Sequence, residues 1–269
     1  MTAKILVVGH RNPDNDSISA AVGYAHLKNA LAARDGEAEA VEYVPARLGP
    51  LPVESAWLLE RNDIPEPVLI DNVNPVEHDG ETVRQKVILV DHNEVAQAAP
   101  GIEEAEVVEI IDHHRIADVT TANPILFLNL PIGSTATIVT LQFRQTGIEL
   151  PDAIARVLLS AILTDTVIMK SPTCTQVDID QVNFLADKLG IDAVEFGMEI
   201  FRTRGGEDTM PIAKLVEADS KEFKVNDDVT VLIAQRETVD LPCVMGREAE
   251  IRGHMKKLVE GNGYEFALL

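Results

Sequence analysis

Short apolar runs that alternate with helically spaced stretches constrain this fold more than any other feature of the sequence. The runs are rich in Val, Ile and Leu and lie at residues 4–8, 68–70, 87–90 and 107–111. Stretches with apolar residues at helical spacing lie at residues 16–31, 54–60, 135–146 and 151–163. Strands that alternate with helices form parallel sheets, so the pattern predicts an α/β fold with a mainly parallel, doubly wound sheet.

The last quarter of the sequence predicts a second, smaller unit. Polar residues flank Gly205 and Gly206 in the segment 204–209, and this composition indicates a hinge or linker. The elements expected after it are helices near 211–218 and 247–259 and strands near 222–225, 229–234 and 264–269. We therefore expect a first domain at residues 1–203 and a smaller α/β domain at residues 210–269. Because an apolar strand at a terminus usually leads into more structure, the second domain is expected to be truncated.

Charge and composition exclude several classes of function. The 269 residues are 46% hydrophobic and 25% charged, which is typical of a globular protein. Lys and Arg number 23 against 44 Asp and Glu, and the resulting net charge of −21 repels nucleic acids and anionic membranes. We therefore expect neither a nucleic-acid nor a membrane partner. A phosphate substrate requires cations that reverse this charge locally, and bound metal ions are the obvious candidates.

Cysteine content and the N-terminus predict the compartment. The sequence has two cysteines, Cys174 and Cys243, which are too few for a disulfide scaffold and fit a reducing environment. The first residues lead straight into the apolar run at 4–8, without the anatomy of a signal peptide, and no stretch is long and apolar enough to cross a membrane. We expect a cytoplasmic protein.

The first apolar run is followed by a string with three potential metal ligands. His10, Asp14 and Asp16 lie within seven residues, and imidazole and carboxylate ligands without a thiol favour Mn²⁺, Fe²⁺, Co²⁺ or Mg²⁺ over structural zinc. The alternative is that Asp14 and Asp16 only cap the following helix, which is a common role for Asp at such a position.

Two further apolar runs end in Asp and His. Asp91 and His92 follow the run at 87–90, and Asp112, His113 and His114 follow the run at 107–111. The carboxyl ends of parallel strands meet at one crevice, so we expect these side chains to converge with those of the first string.

Another candidate ligand is Asp165, which ends an otherwise apolar helix. A buried carboxylate needs a partner, and a metal ion is a suitable one.

Two segments are candidates for binding an anion. Small hydroxyl residues open a helix at 133–137, and the segment 170–175 combines a lysine with several hydroxyl groups in a turn. We favour the simpler interpretation, in which Ser134 or Thr135 caps the helix and the second segment is an ordinary proline turn.

Together these strings resemble the DHH phosphoesterase superfamily and, within it, the family II inorganic pyrophosphatases. The resemblance rests on the motifs at 9–16, 90–94, 112–114 and 171–175, and it extends from residue 4 to about residue 235. It implies that inorganic diphosphate is hydrolysed to two phosphates by a hydroxide that bridges two Mn²⁺ or Co²⁺ ions. It also implies that Mg²⁺ accompanies the substrate and that the protein is a homodimer.

The resemblance implies a role for each candidate residue. One ion would be held by His10, Asp14 and Asp91, and the second by Asp16, Asp91, His113 and Asp165, so that Asp91 bridges the two ions. Asp91 and His114 would be catalytic, with His114 contacting the substrate on the leaving-group side. Lys221 would reach a substrate phosphate from the second domain. Without the resemblance, the composition of the sequence would favour a solvated surface lysine at this position.

The sequence also departs from the family pattern. Family members continue through a longer C-terminal domain with a Ser-Arg-Lys-Lys stretch that binds the substrate phosphates, and this chain is therefore expected to turn over poorly as it stands. Some relatives insert a pair of CBS domains, for which residues 72–85 leave no room.

Two other functions stay open. One is a DHH phosphodiesterase acting on short oligonucleotides or cyclic dinucleotides, for which Gly205 and Gly206 would be a weak nucleotide-binding segment. The other is a non-catalytic protein that binds metal or phosphate.

Overall fold

The structure, a computed structural model, describes residues 2–78, 80–204, 206, 209–226, 229–236, 238 and 240–269. The chain forms two compact units, Met1–Thr203 and Arg204–Leu269. Of the predicted linker at 204–209, Gly205, Glu207 and Asp208 lie outside the described residues.

The first unit is built on a parallel sheet. Its strands are β1 (Ala3–Arg11), β2 (Val41–Leu48), β3 (Val68–Leu69), β4 (Val76–His78), β5 (Glu81–Val83), β6 (Lys86–Val90), β7 (Glu106–Asp112) and β8 (Leu126–Asn129). Strands β4 and β5 form a separate antiparallel hairpin, and the other six form one sheet in the order β3-β2-β1-β6-β7-β8. Every neighbouring pair in this sheet is parallel, which confirms the predicted α/β fold.

Helices cover one face of this sheet. They are α1 (Asn15–Asp35), α2 (Val53–Arg61), α3 (Thr135–Thr146), α4 (Asp152–Asp165), α5 (Gln176–Leu189) and α6 (Ala193–Thr203). Helix α1 contacts β1, β2 and β6 as well as α3 and α4, and α3 also contacts β7. Helix α1 ends at Gly36, whose φ of 80° is the left-handed conformation that glycine adopts without steric cost.

The other face is covered without long helices. Val8, Val87 and Leu89 of the sheet pack there in one apolar cluster with residues of the irregular segment around Ala98 and Ile102. A single 3₁₀ turn, Val95–Gln97, lies in this connection between β6 and β7. Both faces of the central strands are therefore buried, as near-continuous apolar strands require.

The order of the strands decides where a site can form. The sheet grows in one direction from β1 to β2 and β3 and in the opposite direction from β6 to β7 and β8, so the order reverses between β1 and β6. Ligands of open α/β sheets bind in the crevice at such a switch point. The sequence suggested that His10 follows the first strand. Strand β1 instead extends to Arg11, so His10 lies inside it.

The second unit is a small α/β arrangement. Its elements are α7 (Ile212–Glu217), β9 (Ser220–Lys224), β10 (Thr230–Ala234), α8 (Leu241–Gly246), α9 (Glu248–Asn262) and β11 (Ala267–Leu268). Strand β10 pairs antiparallel with β9 and parallel with β11. The helices pack through Leu215, Val216, Val244 and Ile251. Across the part of the chain that the structure describes, no helix combines the length and apolarity needed to span a bilayer.

Candidate metal centre

Adjacent strands bring candidate ligands to the switch point of the sheet. His10 is in β1, Asp91 directly follows β6, and His113 directly follows β7. Asp91 is buried and has a φ of 64°, a left-handed conformation that is uncommon outside glycine. Such backbone conformations cluster at functional sites, where the surrounding structure maintains them.

The first group of ligand atoms lies around His10. Its Nε2 is 3.5 Å from Asp14 Oδ2 and 3.5 Å from Asp91 Oδ2. His10 Nδ1 lies 2.8 Å from the carbonyl oxygen of Arg11, so Nδ1 carries the proton and donates it there. Nε2 is thus the nitrogen that faces the two carboxylates, and a metal ion bound there would replace the second proton that these carboxylates otherwise favour.

Asp14 serves two purposes with its two oxygens. Oδ1 accepts the backbone N–H of Ser17 at 2.9 Å and caps helix α1, while Oδ2 faces His10. Helix capping and metal binding are therefore compatible at this residue.

The second group lies around His113. Ligand atoms of Asp16, His113 and Asp165 lie within 4.8 Å of one another, and His113 Nε2 is 3.4 Å from Asp91 Oδ1. His113 Nδ1 donates to the carbonyl oxygen of Ile132 at 2.9 Å, which again directs Nε2 inward. The two oxygens of Asp91 thus face two different groups of ligand atoms.

The start of helix α3 holds these carboxylates in place. Asp16 accepts the hydroxyl of Ser134 at 2.9 Å and the backbone N–H groups of Thr135 and Ala136 at 2.6 and 2.9 Å. Thr135 Oγ1 donates to Asp91 Oδ1 at 3.0 Å. Ser134 also caps the helix, which confirms the interpretation favoured from the sequence. The anion bound at this helix start is Asp16 of the chain itself.

The second candidate anion segment is also explained by capping. Thr175 is the N-cap of helix α5 and forms a capping box with Asp178.

His114 has a different environment from His113. Its Nδ1 lies 2.9 Å from Asp112 Oδ1 and 3.8 Å from Asp91 Oδ1, and its side chain is 50% exposed. Asp112 is fully buried and also accepts the backbone N–H groups of His113 and His114 and the side-chain amide of Asn93. Because Nδ1–H is committed to Asp112, His114 keeps Nε2 available for a ligand outside the sheet.

The carboxylates of this centre carry more negative charge than the site stabilises by itself. Burial raises the pKa of Asp16 to about 7, and it also raises the pKa of Asp165 well above its ordinary value, where Asp16 adds to the effect. Burial opposes ionisation of Asp91 too, but hydrogen bonds from His10 and His113 outweigh it and hold the pKa of Asp91 below its usual range.

The histidines respond to the same charge. Burial by itself lowers the pKa of His10, but hydrogen bonds with Asp14 and Asp91 more than offset this effect and raise the pKa to about 11. In the same way Asp91 overcomes burial and raises the pKa of His113 to about 9. The hydrogen bond to Asp112 raises the pKa of His114.

The donor set fits divalent ions such as Mn²⁺. The ligand atoms form three groups that share Asp91 and His113, and the groups contain only carboxylates and imidazoles: His10, Asp14 and Asp91; Asp16, His113 and Asp165; and Asp91, His113 and His114. Carboxylate and imidazole ligands suit Mn²⁺ and related ions. Cations bound between the carboxylates would offset the burial and the like charge that raise the pKa values of Asp16 and Asp165.

Not every predicted residue lies in these groups. His92 is buried with Nδ1 2.9 Å from the carbonyl oxygen of Val90, and within the described residues its Nε2 has no hydrogen-bond partner. Lys221 is an exposed residue of β9, opposite Ile233 of β10. Sequence reasoning assigned no role to Asn93 or Asp178, although both are buried and bonded to segments that carry candidate ligands. Asn93 lies in the family motif at 90–94, which could have drawn attention to it, whereas the sequence around Asp178 signals only the capping of a helix.

Comparisons with known proteins found a matching family and similar sequences. The family described as "DHH family, N-terminal domain" matches residues 4–162. The manganese-dependent inorganic pyrophosphatase of Bacillus subtilis is 38% identical over 267 residues, which are 99% of this chain and 81% of that protein. The protein of the same description from Methanothrix thermoacetophila is 36% identical over 269 residues, which are 100% of this chain and 81% of that protein.

Solved structures extend the comparison. A crystal structure of a Methanococcus jannaschii protein put forward as a family II inorganic pyrophosphatase aligns with a TM-score of 0.69 and 33% identity. The alignment covers 98% of this chain and 83% of that one. An exopolyphosphatase-related protein from Bacteroides fragilis, at 19% identity and a TM-score of 0.53, shares the fold over 86% of this chain and 65% of its own.

Proposed function

The chain belongs to the DHH family and, within it, to the manganese-dependent inorganic pyrophosphatases, and we propose that it hydrolyses inorganic diphosphate to two phosphates at a dinuclear manganese site. One observation carries the dinuclear arrangement. The carboxylate of Asp91 directs Oδ2 towards His10 and Oδ1 towards His113, so that one side chain serves two groups of ligand atoms.

The proposal assigns ligands to each ion. His10, Asp14 and Asp91 hold the first, and the second is held by Asp16, Asp91, His113 and Asp165. The hydrogen bonds of His10 to Arg11 and of His113 to Ile132 support this assignment, since each leaves Nε2 as the nitrogen facing the carboxylates. Co²⁺ suits the same ligands as Mn²⁺, and we propose that Mg²⁺ enters with the substrate.

Two divalent ions bound here would lower the pKa of a water between them and neutralise the phosphate oxygens. The chain supplies a rigid support for this chemistry. Helix α3 fixes the orientation of Asp16 and Asp91 through backbone N–H groups and the hydroxyls of Ser134 and Thr135. Preorganised ligands of this kind need no rearrangement during the reaction.

His114 acts on the substrate from outside this ligand set. Its hydrogen bond to Asp112 raises its pKa, so the ring tends to keep its second proton, on Nε2. A proton held there is suited to transfer to the departing phosphate, which is general acid catalysis. The half-exposed ring gives that proton access to a ligand.

Lys221 is the residue of the second unit that we assign to the substrate. The support is its match to the family pattern and its exposure in β9. A lysine ammonium forms charge-assisted hydrogen bonds with phosphate oxygens.

We also propose a cytoplasmic homodimer. Strand β8 is an edge of the sheet, pairs only with β7 among the described residues, and exposes Leu126 and Phe127. An apolar edge strand of this kind is a ready site for pairing with a second copy. Both cysteines are free, which fits a reducing compartment.

A phosphate-release assay tests the function. The chelated protein is expected to release phosphate from diphosphate only after Mn²⁺ is restored. Cleavage of a short oligonucleotide or a cyclic dinucleotide, with no action on diphosphate, would replace the proposal by a phosphodiesterase. Mn²⁺ binding without turnover of any of these substrates would indicate a non-catalytic metal-binding protein.

A further inference from the structure

A buried carboxylate lies behind the candidate ligand His113. Asp178, near the start of α5, is fully buried and accepts four hydrogen bonds. Thr175 donates two of them, from its backbone N–H at 2.8 Å and its hydroxyl at 2.7 Å. The other two come from a different segment, from the Gly133 N–H at 2.9 Å and the Thr137 hydroxyl at 2.7 Å.

Capping of α5 accounts for only half of these contacts. The capping box requires Thr175 and Asp178 alone. The contacts to Gly133 and Thr137 join α5 to the segment that opens α3. That segment also holds Asp16 and Asp91, as described above.

One peptide group connects Asp178 to His113. The N–H of the Ile132–Gly133 peptide is that of Gly133, which donates to Asp178 Oδ2, and its carbonyl oxygen is that of Ile132, which accepts from His113 Nδ1 at 2.9 Å. Because the peptide is planar, fixing its N–H also fixes the direction of its carbonyl. A carboxylate on the N–H further polarises the group and strengthens the carbonyl as an acceptor.

The packing around this peptide leaves no room for a side chain at position 133. A Cβ built on Gly133 would lie 2.7 Å from Cγ2 of Thr166 and 3.0 Å from Oδ2 of Asp178. Any side chain at this position would therefore displace the carboxylate or the neighbouring threonine.

We propose that Asp178 is a positioning residue for His113. Through the Ile132–Gly133 peptide it fixes the Nδ1–H tautomer and the ring orientation of His113, and so presents Nε2 to the second ion; this inference rests on the proposed dinuclear site. Residues that orient metal-binding histidines typically contribute 10- to 100-fold to metal affinity. Asp178 acts through one intervening peptide, so the lower end of that range, about 10-fold, is expected.

Metal binding by titration calorimetry tests the inference. Asp178→Ala is expected to weaken binding of one of two Mn²⁺ ions by about 10-fold and to leave the other within about threefold. Asp178→Asn should restore most of the affinity, since its amide oxygen can still accept from Gly133. The matched control is Thr137→Val, which removes a hydrogen bond to the other oxygen of Asp178. It should lower Tm while changing Mn²⁺ affinity less than threefold.

A spectroscopic measurement separates positioning from general stability. Protein with ¹⁵N-labelled histidine and bound Mg²⁺ should show a His113 Nδ1–H resonance, assigned by its loss in His113→Gln. This resonance should shift in Asp178→Ala and stay in place in Thr137→Val.

Specific results would overturn the inference. Wild-type affinity and an unchanged His113 resonance in Asp178→Ala would do so, as would equal weakening of Mn²⁺ binding in Thr137→Val. These results would leave the dinuclear site itself intact. If the unaltered chain bound fewer than two Mn²⁺ ions, the proposed function and this inference would both fall.

Discussion

Loss of the negative charge on Asp91 should weaken the binding of both metal ions at once. Asp91 Oδ2 is 3.5 Å from His10 Nε2, and Oδ1 is 3.4 Å from His113 Nε2, so a single carboxylate serves both groups. We choose Asp91→Asn because Asn keeps the shape of the side chain and tolerates the φ of 64° at this position. The variant therefore removes the charge without requiring a change in backbone conformation.

Coulomb's law gives the order of magnitude of the effect. Two unit charges about 4 Å apart at an effective dielectric of about 20 attract each other by about 4 kcal/mol, and a divalent ion is attracted more strongly, so the affinity for each ion should fall by a factor of about 10³ or more. The first group retains two ligands, His10 and Asp14, and the second retains Asp16, His113 and Asp165. We therefore expect the affinity for the first ion to fall more than the affinity for the second.

Metal content after dialysis provides the assay. The unaltered protein should retain two Mn²⁺ ions per chain and Asp91→Asn close to none. The control is Asp14→Ala, at a position with a half-exposed side chain, which should lose the first ion and keep the second. Two retained ions in Asp91→Asn would refute the shared carboxylate and would move the site elsewhere.

Three further predictions concern neighbouring groups. His114→Gln should keep both ions and lower kcat by about 10²-fold or more, whereas His113→Gln should weaken metal binding; matching behaviour in metal content and kinetics would contradict their separate roles. Thr135→Val removes the hydroxyl bonded to Asp91 and should weaken Mn²⁺ binding by about 10-fold in titration calorimetry; unchanged affinity would show that helix α3 does not orient this ligand. The pKa of Asp16, raised to about 7, and that of His113, raised to about 9, both lie above their unfolded values. Their protonated forms therefore stabilise the metal-free fold at low pH, and this stability is lost as pH rises from about 4 to about 9. Mn²⁺ should consequently raise Tm more at about pH 8.5 than at about pH 5.5 in differential scanning fluorimetry, and an equal or smaller rise would refute the reasoning.

Continuous apolar runs identified the buried central strands, and the run at 68–70 also identified the exposed edge strand β3. Residues 87–90 form a continuous apolar run, and in the structure all four are fully buried. Strand β2 was missed because Glu42, Pro45 and Arg47 interrupt its apolar pattern, and most of the strand is only half-buried. The edge strand β8 was also missed, because it has only four residues and exposes Leu126 and Phe127, so no long apolar run marks it in the sequence.

Helix ends near the site were partly readable as well. Ser134 was identified as a cap because Ser at the start of an apolar helical stretch has a local partner in the next turn. That the same helix start holds Asp16, 118 residues away from Ser134, has no local signature.

The sequence by itself determined the ligand types and their approximate meeting place. Asp and His directly at the ends of apolar runs must converge when parallel strands share an edge, and His10, Asp91 and His113 do so. Only the tertiary structure decided how each side chain is used. The roles of Asp112 and Asp178, and the tautomers of His10 and His113, depend on hydrogen bonds, and the contacts of Asp178 and His113 span tens of residues. Periodicity reports which residues are buried, but a hydrogen bond depends on distance and direction between atoms, and these are fixed only when the chain has packed.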